Sequence, residues 1–389
     1  MTRLSEEQVR WFRLRRSGLV EPFATPEATA ASLAGVQAQI LPASLLALWN
    51  RSAVGAGTQE ALTERLFRER TLVRLWGQRH TLHLYAAGDW PLVQAAFAGR
   101  RTWWERQAES ADSPLDPAAF REGIARAAEL LRARGTLSRK ELRASGLPMP
   151  PELFSPWGGV FAELVRIGEA CHAQWEGGEA RYAHREHWLP GAPWNPPPAD
   201  DANAELARRY FAGYGPATAA DFAYWRAGSL AGESRRAFEA VAGELAEIET
   251  EPGAAGRRPR LFARRADLDE LFATPPPREE WPVRTLGRFD PLLLAHRDKD
   301  WVVPDRFYDR VWRPAGHIEA VVLEHGRAVA TWRYDRIGAG TLAVRVFPFR
   351  GRLPRHVGQA VRRQAREVAR FFGLKPAAVR FEKPLAGGG

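Results

Sequence analysis

One order of elements recurs along this chain, and the recurrence constrains the fold more than any single motif does. Each copy places helical segments first and then two short alternating strands on either side of a polar turn. In two copies a sharp glycine turn, Arg134-Gly135-Thr136 and Tyr214-Gly215-Pro216, stands at the same place in this order. Self-similarity of this kind predicts a repeat architecture. Three unrelated helical segments are the alternative.

The copies have the pattern of winged helix-turn-helix units, in which a two-stranded ribbon closes a group of helices. The first ribbon has a basic tip, Gly77-Gln78-Arg79-His80. The predicted strand pairs are residues 72–76 with 81–85, 171–175 with 180–184, and 248–251 with 260–264. The fold class is therefore predicted as α+β, with three tandem winged units at residues 1–110, 115–195 and 200–270.

The last part of the chain, residues 280–389, has a different pattern. Alternation predicts strands at residues 301–303, 320–323, 328–334 and 341–347, and the apolar run at 287–294 is predicted as a further strand. Glu324-His325-Gly326-Arg327 is predicted as a hairpin turn. An arginine-rich helix is predicted over residues 354–372. We expect these elements to form a β-rich C-terminal lobe.

Two glutamines one residue apart, Gln37 and Gln39, interrupt an otherwise apolar run. Burying a carboxamide without partners is unfavourable by roughly 1–3 kcal/mol. On a helix the two side chains diverge by roughly 200°, whereas in an extended segment they lie on one side. Gly35 can end the preceding helix and Pro42 disfavours helix at Leu41, so a non-helical connector that aims both amides at one point is predicted. The alternative is a helix end with two solvated glutamines.

The charge of the chain favours a polyanionic partner, and nucleic acid is the first candidate. The formal net charge is +10, and of the 56 basic residues only Lys140, Lys299, Lys375 and Lys383 are lysines. Guanidinium groups suit bidentate phosphate contacts, and binding to a polyanion releases counterions. A GC-rich genome also favours arginine, so arginine usage in itself is weak evidence.

The single cysteine, Cys171, excludes an intrachain disulfide and a cysteine-rich zinc site. The N-terminal stretch is charged and amphipathic, and no apolar run approaches the roughly 18 to 20 residues of a membrane span. We therefore expect a soluble, cytoplasmic, nucleoid-associated protein that does not contact a membrane.

Histidines occur as pairs, His80 with His83 and His184 with His187, but they do not predict a metal site. On a strand, residues three apart point to opposite faces, and no cysteine or carboxylate completes either set. The aspartates around residues 290–300 fit turn and ion-pair roles better than catalytic ones. Neither a Walker loop nor a nucleophile elbow is present, so an NTPase or a serine hydrolase has no support.

Four segments together carry a resemblance that covers essentially the whole chain. They are Ala34-Gly35-Val36-Gln37-Ala38-Gln39, the hairpin at residues 76–84, Arg288-Phe289-Asp290-Pro291-Leu292-Leu293, and residues 326–333. In this order and spacing they resemble the AlkZ-type winged-helix DNA glycosylases. The Gln-x-Gln form is similar to the AlkZ branch rather than to the Gln-x-Asp form of the YcaQ-like branch. One departure is Gln78-Arg79-His80-Thr81, where many relatives have Arg-Gly-Thr.

The resemblance implies hydrolysis of the N-glycosidic bond of N7-alkylated purines in double-stranded DNA, including those of interstrand crosslinks. The biological context would be DNA repair or self-resistance to an alkylating natural product such as azinomycin B. It implies three winged helices around a concave DNA channel, and we expect a monomer without cofactor or metal. Gln37 and Gln39 are the implied catalytic residues. The expected DNA-binding residues are Arg74, Gln78, Arg79, His80, His325 and Arg327.

Two amides suit this chemistry because an N7-alkylpurine is already a cationic leaving group. No strong general acid is needed, and the oxocarbenium-like centre has mainly to be stabilised and met by water. One glutamine oxygen can orient that water, and the second amide can hold the water or the sugar. A base tethered to the opposite strand resists flipping, so an open cleft is expected.

Other classes of function remain open at the level of sequence. A non-enzymatic winged-helix regulator would share the repeated units and the positive charge. The paired glutamines, which a recognition helix does not require, favour the enzyme. A structural or RNA-binding protein has only the 15 tryptophans as stacking platforms, and these fit a core better.

Overall fold

The computed structural model describes residues 3–54, 57–99, 106–107, 109, 116–147, 149–154, 159–226, 231–251, 260–337 and 340–383. Contacts divide the chain into two compact units, one formed by Met1–Thr63 with Leu206–Gly389 and the other by Glu64–Glu205. We call them the outer-sequence unit and the inner-sequence unit. Both helices and strands occur in each, so the predicted α+β class is confirmed. The finer division into winged units stays a prediction.

The α-helices of the described ranges are α1 Glu6–Arg16, α2 Pro26–Ser32, α3 Leu41–Trp49, α4 Gln59–Phe67, α5 Trp90–Ala98, α6 Pro117–Arg134, α7 Arg139–Ala144, α8 Gly159–Arg166, α9 Arg185–Trp188, α10 Ala199–Tyr214, α11 Ala219–Arg226, α12 Ala231–Val241, α13 Leu268–Phe272, α14 Pro291–Leu294, α15 Tyr308–Val311 and α16 Arg355–Phe371. None of these helices combines the length and apolar character needed to cross a bilayer.

The strands of the same ranges are β1 Val36–Gln37, β2 Leu72–Trp76, β3 Leu82–Ala86, β4 Thr136–Ser138, β5 Ala170–His172, β6 Arg181–His184, β7 Leu245–Ile248, β8 Leu261–Arg264, β9 Arg284–Leu286, β10 Trp312–Arg313, β11 His317–Ile318, β12 Ala320–Glu324, β13 Arg327–Ile337, β14 Thr341–Pro348 and β15 Lys375–Phe381.

The inner-sequence unit contains two of the predicted ribbons. β2 and β3 pair antiparallel across the Gly77–His80 turn, with Leu75 opposite His83. β5 and β6 pair antiparallel, and β4 joins the far side of β6. Helix α6 begins at the N-cap Asp116, whose carboxylate accepts two backbone N–H groups, and ends at Gly135. The prediction of both strand pairs is confirmed.

The outer-sequence unit is built on the sheet β15-β14-β13-β12-β9, in which β14 and β15 are parallel and the other neighbours antiparallel. Helix α16 lies against this sheet. The buried Gln364 fixes the helix in place, because its side chain accepts from Thr285 N at 2.7 Å and donates to Val283 O at 2.6 Å. A core of leucines and valines from α1, α14 and β12 fills the space beside the sheet.

Two strands predicted for this unit are wrong. At 301–303 the backbone N–H groups of Val302 and Val303 both donate to Lys299 O, so the segment is a turn. The run at 287–294 contains a turn and a helix but no strand: β9 ends before it, at Leu286, and α14 starts after Asp290. Both segments are apolar because they are buried in the core, and burial carries no information about backbone period.

A buried ion pair joins α3 to the start of α14. Arg51 donates to the Asp290 carboxylate at 2.6 and 2.9 Å, and both side chains have no exposed surface. The same guanidinium donates to Ser17 O and Ala47 O, while Asp290 caps α14 by accepting from Leu292 N. The ion-pair and turn role predicted for this aspartate is confirmed.

Removing one member of this pair should destabilise the protein strongly. We expect Asp290→Ala to lower the free energy of unfolding by about 3–5 kcal/mol, because Arg51 is left as a buried charge without its anion. Urea denaturation followed by circular dichroism measures it. Arg68→Ala, which breaks the exposed Arg68–Glu64 pair, is the matched control and should change stability by less than about 0.5 kcal/mol. Equal effects of the two substitutions would contradict the assignment.

Candidate functional site

The connector that carries the two glutamines leaves α2 through a left-handed turn. Ala34 has φ 49° and Gly35 has φ 101°, and the Gly35 N–H donates back to Ala30 O at 2.8 Å. A φ of this size is readily adopted only by glycine, which explains why a glycine precedes the motif. Val36 and Gln37 are then extended, and α3 begins after the extended Ile40. The predicted non-helical connector is confirmed.

The two carboxamides differ in their access to solvent. Gln37 is 7% exposed, whereas Gln39 belongs to the exposed residues. The apolar neighbours Val36 and Ala38 have no exposed surface. The connector therefore presents one glutamine to solvent and holds the other within the protein. A solvated helix end, the alternative considered above, does not describe this segment.

Helix α10 supports the connector from within the outer-sequence unit. The Tyr214 hydroxyl donates to Leu33 O at 3.1 Å, at the end of α2. A Cβ atom at Gly213 would lie 2.8 Å from Ser32 O, so the close approach of these two helices needs a glycine there. Tyr214 has 1% of its surface exposed. The position of the glutamines is thus fixed by a buried helix far along the chain.

A buried polar cluster continues from Tyr214. His296 donates its Nε2–H to Tyr214 O at 2.9 Å, and its Nδ1 has no hydrogen-bond partner in the described part of the structure. Asp221 accepts from the Arg297 N–H at 2.8 Å. Arg13 donates to Pro216 O and lies over the Trp301 ring. These contacts order the loop that follows α14.

Burial controls the protonation of this cluster. Desolvation, followed by repulsion from Arg13, holds the pKa of His296 well below its usual value. Desolvation also lowers the pKa of Arg13 to about 10. His296 is therefore neutral at neutral pH, which agrees with an Nδ1 atom that carries no proton and makes no hydrogen bond, while Arg13 stays charged.

The residues predicted to contact DNA on the β2–β3 hairpin have different environments. Gln78 has no exposed surface, and its Oε1 accepts from the Tyr85 hydroxyl at 2.6 Å. Arg74 is buried, and desolvation lowers its pKa to about 10. Arg79 is half-buried and His80 is exposed, both with positive φ. The exposed tip of the hairpin is thus His80 with part of Arg79.

The hairpin turn between β12 and β13 packs on α1. Arg327 forms an ion pair with Glu6 at 3.3 Å and is half-buried. His325 lies near the Trp281 ring, and a Cβ atom at Gly326 would lie 3.3 Å from Leu14 Cδ1. The turn was predicted correctly, but its side chains contact α1 and the core of the outer-sequence unit.

Among the described residues, no group of three or more histidine, cysteine, aspartate or glutamate side chains is placed to hold a metal ion. Sequence reasoning also missed the supporting residues Gly213 and Tyr214. The available signal was the aromatic spacing of Tyr210 and Tyr214, four residues apart on one face of α10, which is typical of a buried helix.

Comparison with known proteins places these segments in a family. The model of the AlkZ-like family, described as "DNA glycosylase AlkZ-like", matches residues 30–371, which include both glutamines and Asp290. The chain belongs to the AlkZ-like DNA glycosylases. A relative named "Interstrand DNA cross-link repair glycosylase" from Streptomyces sahachiroi is 30% identical over 394 residues, covering 97% of this chain and 99% of the relative.

The solved structure of Streptomyces sahachiroi DNA glycosylase AlkZ has the same overall fold. Its TM-score against this chain is 0.79, with 27% identity over 98% of this chain and 100% of that one. The likeness to the AlkZ-like DNA glycosylases therefore extends over the whole chain, and the family implies that DNA is the substrate. The resemblance predicted from the sequence is confirmed.

The buried His296 should make the stability of this DNA glycosylase fall in mild acid. Its folded pKa is lower than its unfolded pKa, so below about pH 6.5 the unfolded state binds a proton that the folded state does not. The free energy of unfolding should therefore decrease, by at most about 1.4 kcal/mol per pH unit from this group. Urea denaturation at pH 7.5 and 5.5 measures the loss.

His296→Gln keeps an N–H donor for Tyr214 O and removes the titrating group, so this variant should lose less stability between the two pH values than the wild type. His187→Gln, at an exposed position, is the control and should behave as the wild type. An identical pH dependence of wild type and His296→Gln would contradict the assignment.

Proposed function

We propose that this protein hydrolyses the N-glycosidic bond of N7-alkylated purines in double-stranded DNA and unhooks interstrand crosslinks in this way. The observation that carries the proposal is the non-helical Gln-x-Gln connector within a chain that resembles AlkZ over its whole length. The name of the Streptomyces relative, an interstrand crosslink repair glycosylase, supports the substrate class. The protein would act in the cytoplasm as a monomer, in repair or in self-resistance to an alkylating natural product such as azinomycin B.

Gln37 and Gln39 are the proposed catalytic residues. Gln39 is exposed and therefore accessible to water and substrate, so its oxygen would orient the attacking water beside C1′. Gln37 is buried and held on the extended connector, so its amide would fix the geometry of the water or the sugar. Both side chains are uncharged at every physiological pH.

Uncharged amides are sufficient only for labile substrates. An alkyl group at N7 makes the purine cationic, and the bond to C1′ then breaks without protonation by the enzyme. A neutral amide is a poor general base, so undamaged purines should be left intact. This selectivity arises from the leaving group and does not require a pocket that encloses the base, which fits a base tethered to the opposite strand.

DNA would lie against three winged units at residues 1–110, 115–195 and 200–270 around a concave channel. The three ribbons β2–β3, β5–β6 and β7–β8 support this proposal, because each is a short antiparallel pair that follows helices. On the first ribbon, Arg79 and His80 are the proposed contacts, with the buried Arg74 and Gln78 holding the tip. His325 and Arg327 would contribute from the C-terminal lobe.

Single substitutions of the glutamines should lower the rate of base release with little loss of DNA affinity. We expect Gln37→Ala and Gln39→Ala each to reduce the single-turnover rate on duplex with one N7-methylguanine by about 100-fold, because a positioned polar contact acts chiefly in the transition state. Binding of undamaged duplex and thermal unfolding are measured in parallel. Gln39→Glu separates electrostatics from shape by placing an anion near the oxocarbenium. Full activity of the Gln37→Ala/Gln39→Ala double variant would refute the proposal.

The enzyme is proposed to be monofunctional, with water as the only nucleophile. Lys299 donates to Leu293 O and His296 O and is 5% exposed, so its amine is engaged within the outer-sequence unit. Borohydride added during turnover should trap no covalent DNA adduct, whereas a lyase that forms an imine with DNA would be trapped. A trapped adduct that disappears in Lys299→Arg would show an amine mechanism.

A further inference from the structure

The net positive charge of the chain is concentrated near its C-terminus. Residues 340–383 contain eleven arginines and lysines against two glutamates, a net charge of +9, while the whole chain carries +10. The remaining residues are therefore nearly neutral in sum. A field of one sign over so few residues attracts an anionic partner and opposes compact folding in its absence.

A groove in this segment collects several of these cations. It lies where α16 begins and β15 ends, and it encloses about 700 Å³. Its walls include Arg352, Arg355, Arg362, Phe381, Glu382 and Lys383. Arg362 lies over the Phe381 ring at 4.6 Å, which holds its guanidinium at the groove wall.

The groove cations are not neutralised by the protein. In the described ranges, Arg352, Arg355, Arg362 and Lys383 form no ion pair with a carboxylate. Several exposed cations elsewhere have such partners, whereas others among the described residues, such as Arg121, Arg134 and Arg143, have none. Examples of the ion-paired cations are Arg68 with Glu64, Lys140 with Glu179, Arg235 with Glu239 and Arg260 with Glu247. The groove differs from the rest of the described surface in that four cations without a carboxylate partner line one cavity, an arrangement that suits an external anion.

The charge continues from the groove along one face of α16. At about 100° per residue, Arg355, Arg362, Arg363, Arg366 and Arg370 fall within a stripe roughly 100° wide. All five are exposed, and the opposite face is buried against the sheet. From Arg355 to Arg370 the stripe is about 22 Å long at 1.5 Å per residue. A row of this length matches a polyanion rather than a single phosphate.

We propose that the groove and the α16 stripe bind the phosphodiester backbone of duplex DNA away from the damaged base. This inference rests on DNA being the substrate in the proposed function. The surface would contribute affinity that is independent of sequence, since arginines at phosphates position the protein but do not read bases. It would not touch the reacting atoms, so its contribution belongs to binding and not to the chemical step.

The test compares two variants with the same change in net charge. The groove variant is Arg352→Gln/Arg355→Gln/Arg362→Gln/Lys383→Gln, and the control is Arg68→Gln/Lys140→Gln/Arg235→Gln/Arg260→Gln, in which each replaced cation is ion-paired. The dissociation constant for undamaged 24-base-pair duplex is measured from about 50 to 200 mM salt. The groove variant should bind about 10- to 100-fold more weakly, and the magnitude of its slope of log K against log salt should be smaller by about 3.6. The control should retain most of the wild-type slope.

A lysine variant separates charge from packing. The variant Arg352→Lys/Arg355→Lys/Arg362→Lys keeps the cations and should keep the wild-type salt slope. If its slope decreases as much as that of the groove variant, the effect is structural and not electrostatic. If the fourfold groove variant fails to unfold cooperatively on heating, Arg355→Gln/Lys383→Gln, at two exposed positions, should still reduce the slope by roughly 2.

Two results would overturn the inference. One is an equal decrease of the slope in the groove variant and the control. The other is binding of a mononucleotide such as dAMP by the wild type, lost in the groove variant, with no change in the duplex slope; the groove would then be a nucleotide site.

Excision distinguishes this inference from the proposed function. At saturating DNA, the groove variant should release N7-methylguanine at the wild-type single-turnover rate. The wild type could release no base while the salt slope of DNA binding is still smaller in the groove variant. That result would support the inferred DNA-binding surface and refute the proposed reaction.

Discussion

The buried pair of Arg51 and Asp290 is the contact on which the arrangement around the two glutamines depends. It joins residues 239 apart and, through the same guanidinium, binds the carbonyls at Ser17 and Ala47. Neither charge reaches water, so any displacement that separates them leaves a desolvated ion, which is unfavourable by several kcal/mol. The end of α1, helix α3 and the start of α14 therefore have one mutual position. Because α3 follows the connector directly, the fixed position of α3 also fixes the end of the connector that carries the two glutamines.

The chemistry proposed for the connector follows from what a rigid, uncharged site can do. A non-helical backbone between a left-handed turn and the start of α3 holds two amides two residues apart without a titrating group on either. Such a site can orient water and dipoles, but it cannot provide a strong acid or base. It is therefore suited to bonds that are already weakened by a positive charge on the leaving group. The Tyr214 contact to Leu33 supplies the rigidity that this kind of catalysis requires.

Local signals predicted much of this fold, and non-local contacts explain the errors. Asp116 and Gly135 mark the ends of α6, and Gly35 predicts the exit from α2, because caps and left-handed turns depend on a few adjacent residues. The runs at 287–294 and 301–303 were predicted as strands because buried turns and short helices are as apolar as strands. The paired glutamines were visible in the sequence and the resemblance supplied their catalytic role, but nothing in the sequence pairs Asp290 with Arg51 or places Tyr214 beneath the connector. The number of cations near α16 can be counted in the sequence. The sequence does not show that they line one groove or that those in the groove form no ion pair with a carboxylate.

A glycosylase hydrolyses the DNA that it binds, whereas a winged-helix regulator only recognises it. The most direct measurement is the release of free base from duplex that carries one N7-methylguanine, followed by mass spectrometry under single-turnover conditions. The wild type should give one free N7-methylguanine and one abasic site for each duplex consumed, and the Gln37→Ala/Gln39→Ala variant should give neither above the spontaneous background. Tight binding of the duplex by the wild type without release of the base would contradict the proposed hydrolysis.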